Sequence, residues 1–311
     1  MRENKSALRI HRVTILGKRY ESAQVRAASV LLLPTMVAIV LLFIIPVVQV
    51  VAYSFTNYNL TTGLKSYNGL ANYKYLFTDD RFFKAIRNTF TFAALKLVID
   101  TSLALAIALM LDSAIPMKKY LRSAYFAPVV VPVVASSLIW IWFFDPGIGP
   151  FNQILSAFGL PTSQWLYHED TALLSILMFS IWKGLGYNIV LFLAGLQNIP
   201  TSFVEAAQVD GAKAHQVLFM IKLPLLRPII SFVLMIGIIN TFKVFAEVNV
   251  MTPKGGPLYS TALMVNYIYD TAFTSGKMGR ACSASIILFI IIFALTLIQT
   301  KLDARKSISL E

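Results

Sequence analysis

The 311-residue chain has one cysteine, three histidines and fifteen acidic residues, and only 14% of it is charged. Each scarcity excludes something. Cys282 stands alone inside an apolar run, so no intrachain disulfide, no CxxC metal or redox motif and no thiol nucleophile with a neighbouring base can form. It reads as a small membrane-embedded hydrophobe. His11, His168 and His215 are dispersed, so no metal site is expected. An ordinary soluble domain carries about 25% charge, and the 57% hydrophobic content must face something other than water, which argues against a plain soluble enzyme. There is no internal repeat and no low-complexity stretch. A GxxxxGK[ST] phosphate loop is also missing: Gly17-Lys18 and Gly276-Lys277 lack both the following Ser or Thr and the upstream Gly, so the chain cannot hydrolyse ATP by that route.

What is present is apolar length. Six runs of about 20 residues or more, enough at 1.5 Å per residue to cross a hydrocarbon core of about 30 Å, fall near 29–53, 88–111, 123–144, 172–196, 223–245 and 281–300. None alternates with period 2, so the spans are helices and the fold class is an all-α integral membrane protein. Of the 27 Lys and Arg residues, sixteen fall in alternate connections beginning with the N-terminal segment, eight in the others, and three lysines lie within spans. Both termini are therefore expected in the cytoplasm. The net charge of +12 reads as membrane orientation rather than nucleic-acid binding.

Three parts are expected: a basic N-terminal segment 1–28, a six-helix domain 29–302 and a short tail 303–311. The N-terminal segment is too long and too charged for a cleaved signal peptide. Within it Arg2, Lys5, Arg9 and Arg12 fall on one helical face, leaving open an amphipathic helix on anionic lipid or a solvated tail. On the outer side, Asp145-Pro-Gly-Ile-Gly-Pro150 and Thr252-Pro-Lys-Gly-Gly-Pro257 are helix-breaking punctuation, with a short surface helix expected over 152–158. Trp140, Trp142 and Trp165 read as interface anchors.

The most informative stretch is polar and lies between the fourth and fifth runs. Glu205-Ala206-Ala207, three residues ending in Asp210, Gly211, nine residues, then Ile221-x-Leu223-Pro224 read as two short helices with a break. Thr201 and Ser202 are N-cap candidates with Glu205 completing a capping box, Gly211 permits a φ > 0 turn, and Pro224 is expected to stop the second helix. This spacing resembles the cytoplasmic signature of the membrane subunits of bacterial ATP-binding-cassette importers, every fixed position being present. Tyr53-Ser-Phe-Thr-Asn-Tyr58, Gly69-Leu-Ala-Asn-Tyr-Lys74, Asn88-Thr89, Ala194-Gly-Leu-Gln-Asn-Ile-Pro200 and Gly255-Gly-Pro257 resemble the carbohydrate branch, the maltose-type and glycerol-phosphate-type permeases. The resemblance runs from about residue 30 to 302.

The resemblance implies a non-catalytic permease subunit of the bacterial inner membrane, with Glu205, Ala206, Ala207, Asp210, Gly211, Ile221, Leu223 and Pro224 forming coupling helices gripped by an ATPase dimer. That dimer would bind the ATP and Mg, leaving this chain no cofactor of its own. The other implied partners are a second, homologous permease, an extracytoplasmic solute-binding protein, the carbohydrate and membrane lipid. The rival class, an ion-coupled secondary transporter with repeated halves, is disfavoured by the missing repeat.

Ionisable residues inside spans default to functional hypotheses. Lys96 and Asp100 stand four apart and can neutralise each other, as can Lys243 and Glu247. Lys183 has no acidic residue within a turn or two and sits near mid-bilayer. By resemblance to the maltose-type permease, the substrate pathway is Lys183, Gly184 and Tyr187 in the fourth span with Asn240 and Lys243 in the fifth. The two lysines stand where the maltose protein is uncharged. They point to an anionic cargo, a uronate-type oligosaccharide first, with a glycerol phosphate or a neutral oligosaccharide as alternatives. The competing reading of Lys183 is snorkelling or pairing within the assembly.

Overall fold

The computed structural model describes residues 12–15, 18–112 and 118–307. Backbone packing divides the chain into Met1–Tyr53 and Ser54–Glu311.

In the first unit, Arg12–Ile15 and Lys18–Glu21 form an antiparallel hairpin, Arg12 opposite Glu21 and Ile15 opposite Lys18. Arg12 is thus on a strand and not on an amphipathic helix, one of the two readings left open, in keeping with β-branched Val13, Thr14 and Ile15. Arg2, Lys5 and Arg9 lie outside the described residues. The helix Ala27–Ser54 is long and apolar enough to cross a membrane. It contains a π-helical turn at Val40–Ile44, two residues before Pro46, with the Ile45 N–H reaching back to the Val40 carbonyl. A wide turn ahead of a proline lets the ladder step past the missing N–H.

In the second unit, Asp80–Asp112, Glu169–Gln197, Arg227–Met251 and Met278–Asp303 are also long and apolar enough to span. They are numbered here spans 2, 4, 5 and 6. The anticipated third span over 123–144 is not one helix. Ser123–Val130 and Val133–Phe143 meet at a 108° bend. Pro132 causes it: the ring removes the donor that would reach Pro128, and Pro132 itself is extended, with ψ 134°.

Spans 2 and 4 pack along their length on small residues, with Ala104 and Ala108 fully buried against Ile189 and Phe192. Gly186 of span 4 admits the broken helix so closely that a Cβ there would lie 2.1 Å from the Tyr125 carbonyl oxygen. Toward the other end of span 4 an aromatic core forms around Trp140, only 9% exposed, with ring centroids 5.5 Å from Phe144, 5.6 Å from Phe179 and 5.1 Å from Trp182. Trp140 is therefore a core residue rather than an interface anchor, whereas Trp142 is exposed. Trp165 donates its indole N–H to Asn152 at 2.8 Å. The short surface helix is present as Pro150–Ala157.

Several of the polar residues in the family-like segments turn out to be ties between connections. Asn72 donates to the carbonyls of Ser54 and Thr56 at 2.8 and 2.9 Å. Asn88 donates to the Tyr259 and Ala262 carbonyls at 3.3 and 3.1 Å, and Thr89 accepts the Met264 N–H at 2.9 Å. Asn88 and Thr89 brace a contorted segment in which Lys254, Gly255, Gly256, Leu258 and Tyr259 all have φ > 0. Three of these five carry side chains that disfavour such a backbone.

Candidate functional site

Two separate places carry the residues singled out by sequence. The first is the signature loop. Helix Thr201–Val209 ends at Asp210, Gly211 turns with φ 79°, and a second helical stretch runs from Ala214 to Leu225. The two-helix form with a glycine break is as expected, but its details differ. Pro200, not Thr201 or Ser202, is the N-cap, and no side chain caps the helix. The N-cap at Pro200 stands two residues ahead of Ser202, so Ser202 lies inside the first turn and its box with Glu205 has no position to act from. Nor does Pro224 stop the second helix. A π-helical turn at Leu218–Lys222, which includes Ile221, precedes Leu223 and Pro224, and the Leu223 N–H bonds the Leu218 carbonyl. The helix ends instead around Leu226, and Arg227-Pro228 opens span 5.

Glu205 and Ala206 are exposed and Ala207 half-buried, and with them stand large exposed apolar groups, Phe203, Val209, Phe219 and Met220. Such a knob is unusual for a surface facing water alone. Glu205 lines a cavity of about 410 Å³ with Gln208, Lys222 and Asp112. Lys222 pairs with Asp112 at 2.7 Å, fastening the signature loop to the end of span 2. The pair leaves no signature in the sequence. Its partners are 110 positions apart, and no spacing rule connects them.

The second place is a cavity of about 220 Å³ between spans 2, 4 and 5. Gly184, Tyr187 and Asn240 line it together, with Asn188 and Thr241 beside them. Gly184 keeps the wall thin: a Cβ there would sit 3.3 Å from the Lys96 ammonium. Lys183 and Lys243 do not line it. Lys183 donates to the carbonyls of Pro128 and Val129 at 2.6 and 3.1 Å. In an unbroken helix those carbonyls would accept from positions 132 and 133, but Pro132 has no N–H and the helix restarts at Val133. The ammonium replaces the donors that the bend removes. Lys243 caps the Arg227–Phe242 helix at its C-terminal end, exposed, and no ion pair joins it to Glu247.

The charged groups that do line the cavity are Lys96 and Asp100, paired at 3.1 Å with side-chain exposures of 12% and 9%. Lys96 also donates to the Ser180 carbonyl at 2.9 Å. Their four-residue spacing was the available signal, and it announced the pairing but not the cavity.

A further cleft of about 520 Å³ lies among the connections 55–79 and 252–277, lined by Tyr75, Arg81, Tyr259, Tyr267, Asp270 and Arg280 among others. The Arg280 guanidinium lies 3.6 Å from the Tyr75 ring centroid, and Tyr267 donates to Asp79 at 2.7 Å. Burial pushes the Asp270 carboxyl above its ordinary range, opposed by a Thr274 hydrogen bond and by Lys254 and Arg81. Burial and the bond to Asp79 push the Tyr267 hydroxyl up as well. Among the described residues no cluster of His, Cys, Asp and Glu could hold a metal ion.

Residues 101–308 match the family described as binding-protein-dependent transport system inner membrane component. The chain is 35% identical over 266 residues to the multiple sugar-binding transport system permease protein MsmF of Streptococcus mutans, covering 86% of this chain and 91% of that one. It is 30% identical over 280 residues to the sn-glycerol-3-phosphate transport system permease protein UgpA of Yersinia pseudotuberculosis, covering 89% and 94%. Its fold is similar to that of a chain in the crystal structure of a bacterial alginate ABC transporter, with a TM-score of 0.80 at 23% identity, over 91% of this chain and 96% of that one.

Proposed function

Because the chain belongs to the binding-protein-dependent transport system inner membrane components, as a non-catalytic permease subunit of a carbohydrate ATP-binding-cassette importer, we propose that it forms half of the solute pathway. A second permease would form the other half, and an ATPase dimer would drive both. The single observation that supports the drive is the signature knob. It carries an exposed Glu205, exposed apolar groups and a φ > 0 break, and an ion pair ties it to span 2. A push on the knob thus has a mechanical route to a span that lines the cavity. Both termini and the knob face the cytoplasm in this reading, as the lysine and arginine count requires. A solute-binding protein delivers the cargo at the opposite end.

The cargo is a carbohydrate. Relatives named for multiple sugars, arabinooligosaccharides and glycerol phosphate bracket it from neutral to anionic. The cavity of Gly184, Tyr187 and Asn240 supports a neutral, polyhydroxylated solute, with an aromatic face for C–H groups and amides for hydroxyls. Lys183, the main ground for an acidic oligosaccharide, is occupied by carbonyls. Lys243, exposed and unpaired with Glu247, keeps the uronate-type reading as the second choice.

Reconstitution of the permease pair with its ATPase and binding protein in vesicles tests the proposal. Sugar uptake should persist when the proton gradient is collapsed and stop when ATP is withdrawn, and the opposite pattern would overturn it. Lys243→Asn tests the cargo: neutral-sugar uptake should be spared, and a selective loss of uronate uptake would install the second reading instead.

A further inference from the structure

Asp100 is a buried carboxylate with half of its bonding capacity unspent. Oδ2 accepts from Lys96 at 3.1 Å, while Oδ1 is shielded from solvent and has no hydrogen-bond partner among the described residues. The residue is 6% exposed and lines the cavity between spans 2, 4 and 5. A buried acceptor left unmatched is costly, more so when charged, and native structures seldom keep one without a use.

Its neighbours define what would satisfy it. The Lys96 ammonium has three donors, of which one goes to Asp100 and one to the Ser180 carbonyl, leaving one. The pair thus offers a charged acceptor and a charged donor side by side, and adjacent hydroxyls of a sugar ring meet both at once. Its net charge is zero, so it gives a carboxylate or phosphate no overall attraction, and the free oxygen of Asp100 repels one at hydrogen-bonding distance. Thr101, Asn188, Asn240 and Thr241 add only neutral polar groups, and Tyr187 adds a ring. At about 220 Å³ the cavity falls below the roughly 300–1,000 Å³ of sites that hold drug-sized ligands, so it takes one sugar residue rather than a chain.

We infer that Asp100, paired with Lys96, is a specificity-determining residue whose carboxylate turns toward this cavity to accept a hydroxyl from one neutral sugar unit and discriminates against acidic units. This rests on the reading of the cavity as part of the solute pathway and extends the site to span 2. A hydroxyl bound to a carboxylate makes a short, charge-assisted bond, and its loss weakens binding about tenfold.

The test uses the purified permease–ATPase complex in lipid nanodiscs without the binding protein, so that the solute meets the permease directly. Binding of glucose, galactose, arabinose and rhamnose is compared with that of glucuronate and galacturonate. At least one neutral sugar should bind, its matched uronate should bind about tenfold more weakly, and one of its single-hydroxyl deoxy analogues should lose about tenfold. Lys96→Met with Asp100→Leu removes both charges together and leaves neither buried partner alone. The variant should elute as a single species and bind the parent sugar and that deoxy analogue equally. If the variant does not fold, the deoxy series on the unaltered protein decides alone.

Tighter binding of uronates, no deoxy analogue losing more than about twofold, a deoxy penalty that survives the double substitution, or no binding by any sugar in the panel overturns the inference. Failure of ATP-driven uptake in vesicles would instead strike the proposed function, so the two failures are separable.

Discussion

Lys183 shows how one side chain can be conspicuous in sequence and assigned to the wrong neighbour. An unpaired mid-span lysine demands a polar partner, and the sequence places acids and cavities in view but not carbonyls stripped of their donors by a proline 51 positions earlier. The structure supplies those carbonyls, at 2.6 and 3.1 Å. Lys183→Met should therefore lower the melting temperature of the purified protein, by an unfolding free energy of about 1–3 kcal/mol for two carbonyls left bare, with Lys183→Arg recovering most of it. A variant with unchanged stability but altered solute selectivity would return Lys183 to the pathway. Asp270, among the connections, makes a prediction about pH. Its carboxyl is held above the ordinary range chiefly by burial, so the folded state binds a proton more readily than the unfolded chain does. Its favourable contribution is present at low pH, below the unfolded value of about 4, and lost as pH rises through the folded value. Asp270→Asn should raise the melting temperature at neutral pH and change it little near pH 4, read from thermal scans at the two pH values. The candidate site was half legible at this scale: Gly184, Tyr187 and Asn240, grouped by the resemblance, line one cavity, and Lys96 and Asp100 were visible as a pair without their cavity.

Among the elements, proline decides most of what hydrophobicity alone misjudged. Three apolar runs gave continuous helices in the second unit, while that of span 5 is interrupted at 243–245; the ends lie within a few residues of expectation except in span 2, which starts eight residues early because its polar first turns at Asp80–Arg87 carry no hydropathy signal. The run at 123–144 broke because Pro132 sits mid-run, where an apolar count registers it as harmless. Pro224, by contrast, sits inside its helix because the π-helical turn at Leu218–Lys222 steps past it. Exchange of charge tests the tie between span 2 and the signature loop. Asp112→Lys or Lys222→Asp alone should weaken the coupling of ATP hydrolysis to uptake, and the two together should restore most of it. The side chains are 22% and 26% exposed, so the stability effect of the pair stays within about 1 kcal/mol, and the ratio of uptake to ATP hydrolysed is the better readout.

For the whole molecule, the knob between spans 4 and 5 is the feature through which an external motor could act. Gly211 holds the break between its helices at φ 79° with open space around it, so a valine there is strained by its backbone and not by crowding. Gly211→Val should leave the protein in the membrane but sever ATP hydrolysis from uptake in reconstituted vesicles. Coupled uptake at the unaltered rate would show that the break has no part in coupling.

The sequence by itself determined the lipid-facing class, the number of apolar runs, the two-helix knob and the family, because these rest on local composition and fixed spacing along the chain. Tertiary structure alone decided which ion pairs fasten which spans, that Trp140 belongs to an aromatic core, that Lys183 serves a broken helix, and that Asp100, in a cavity wall, keeps an unmatched buried oxygen. Each of these depends on groups from helices remote in sequence meeting in a medium without water, where an unmatched donor or acceptor is costly and the partner that satisfies it is whichever one packing brings near.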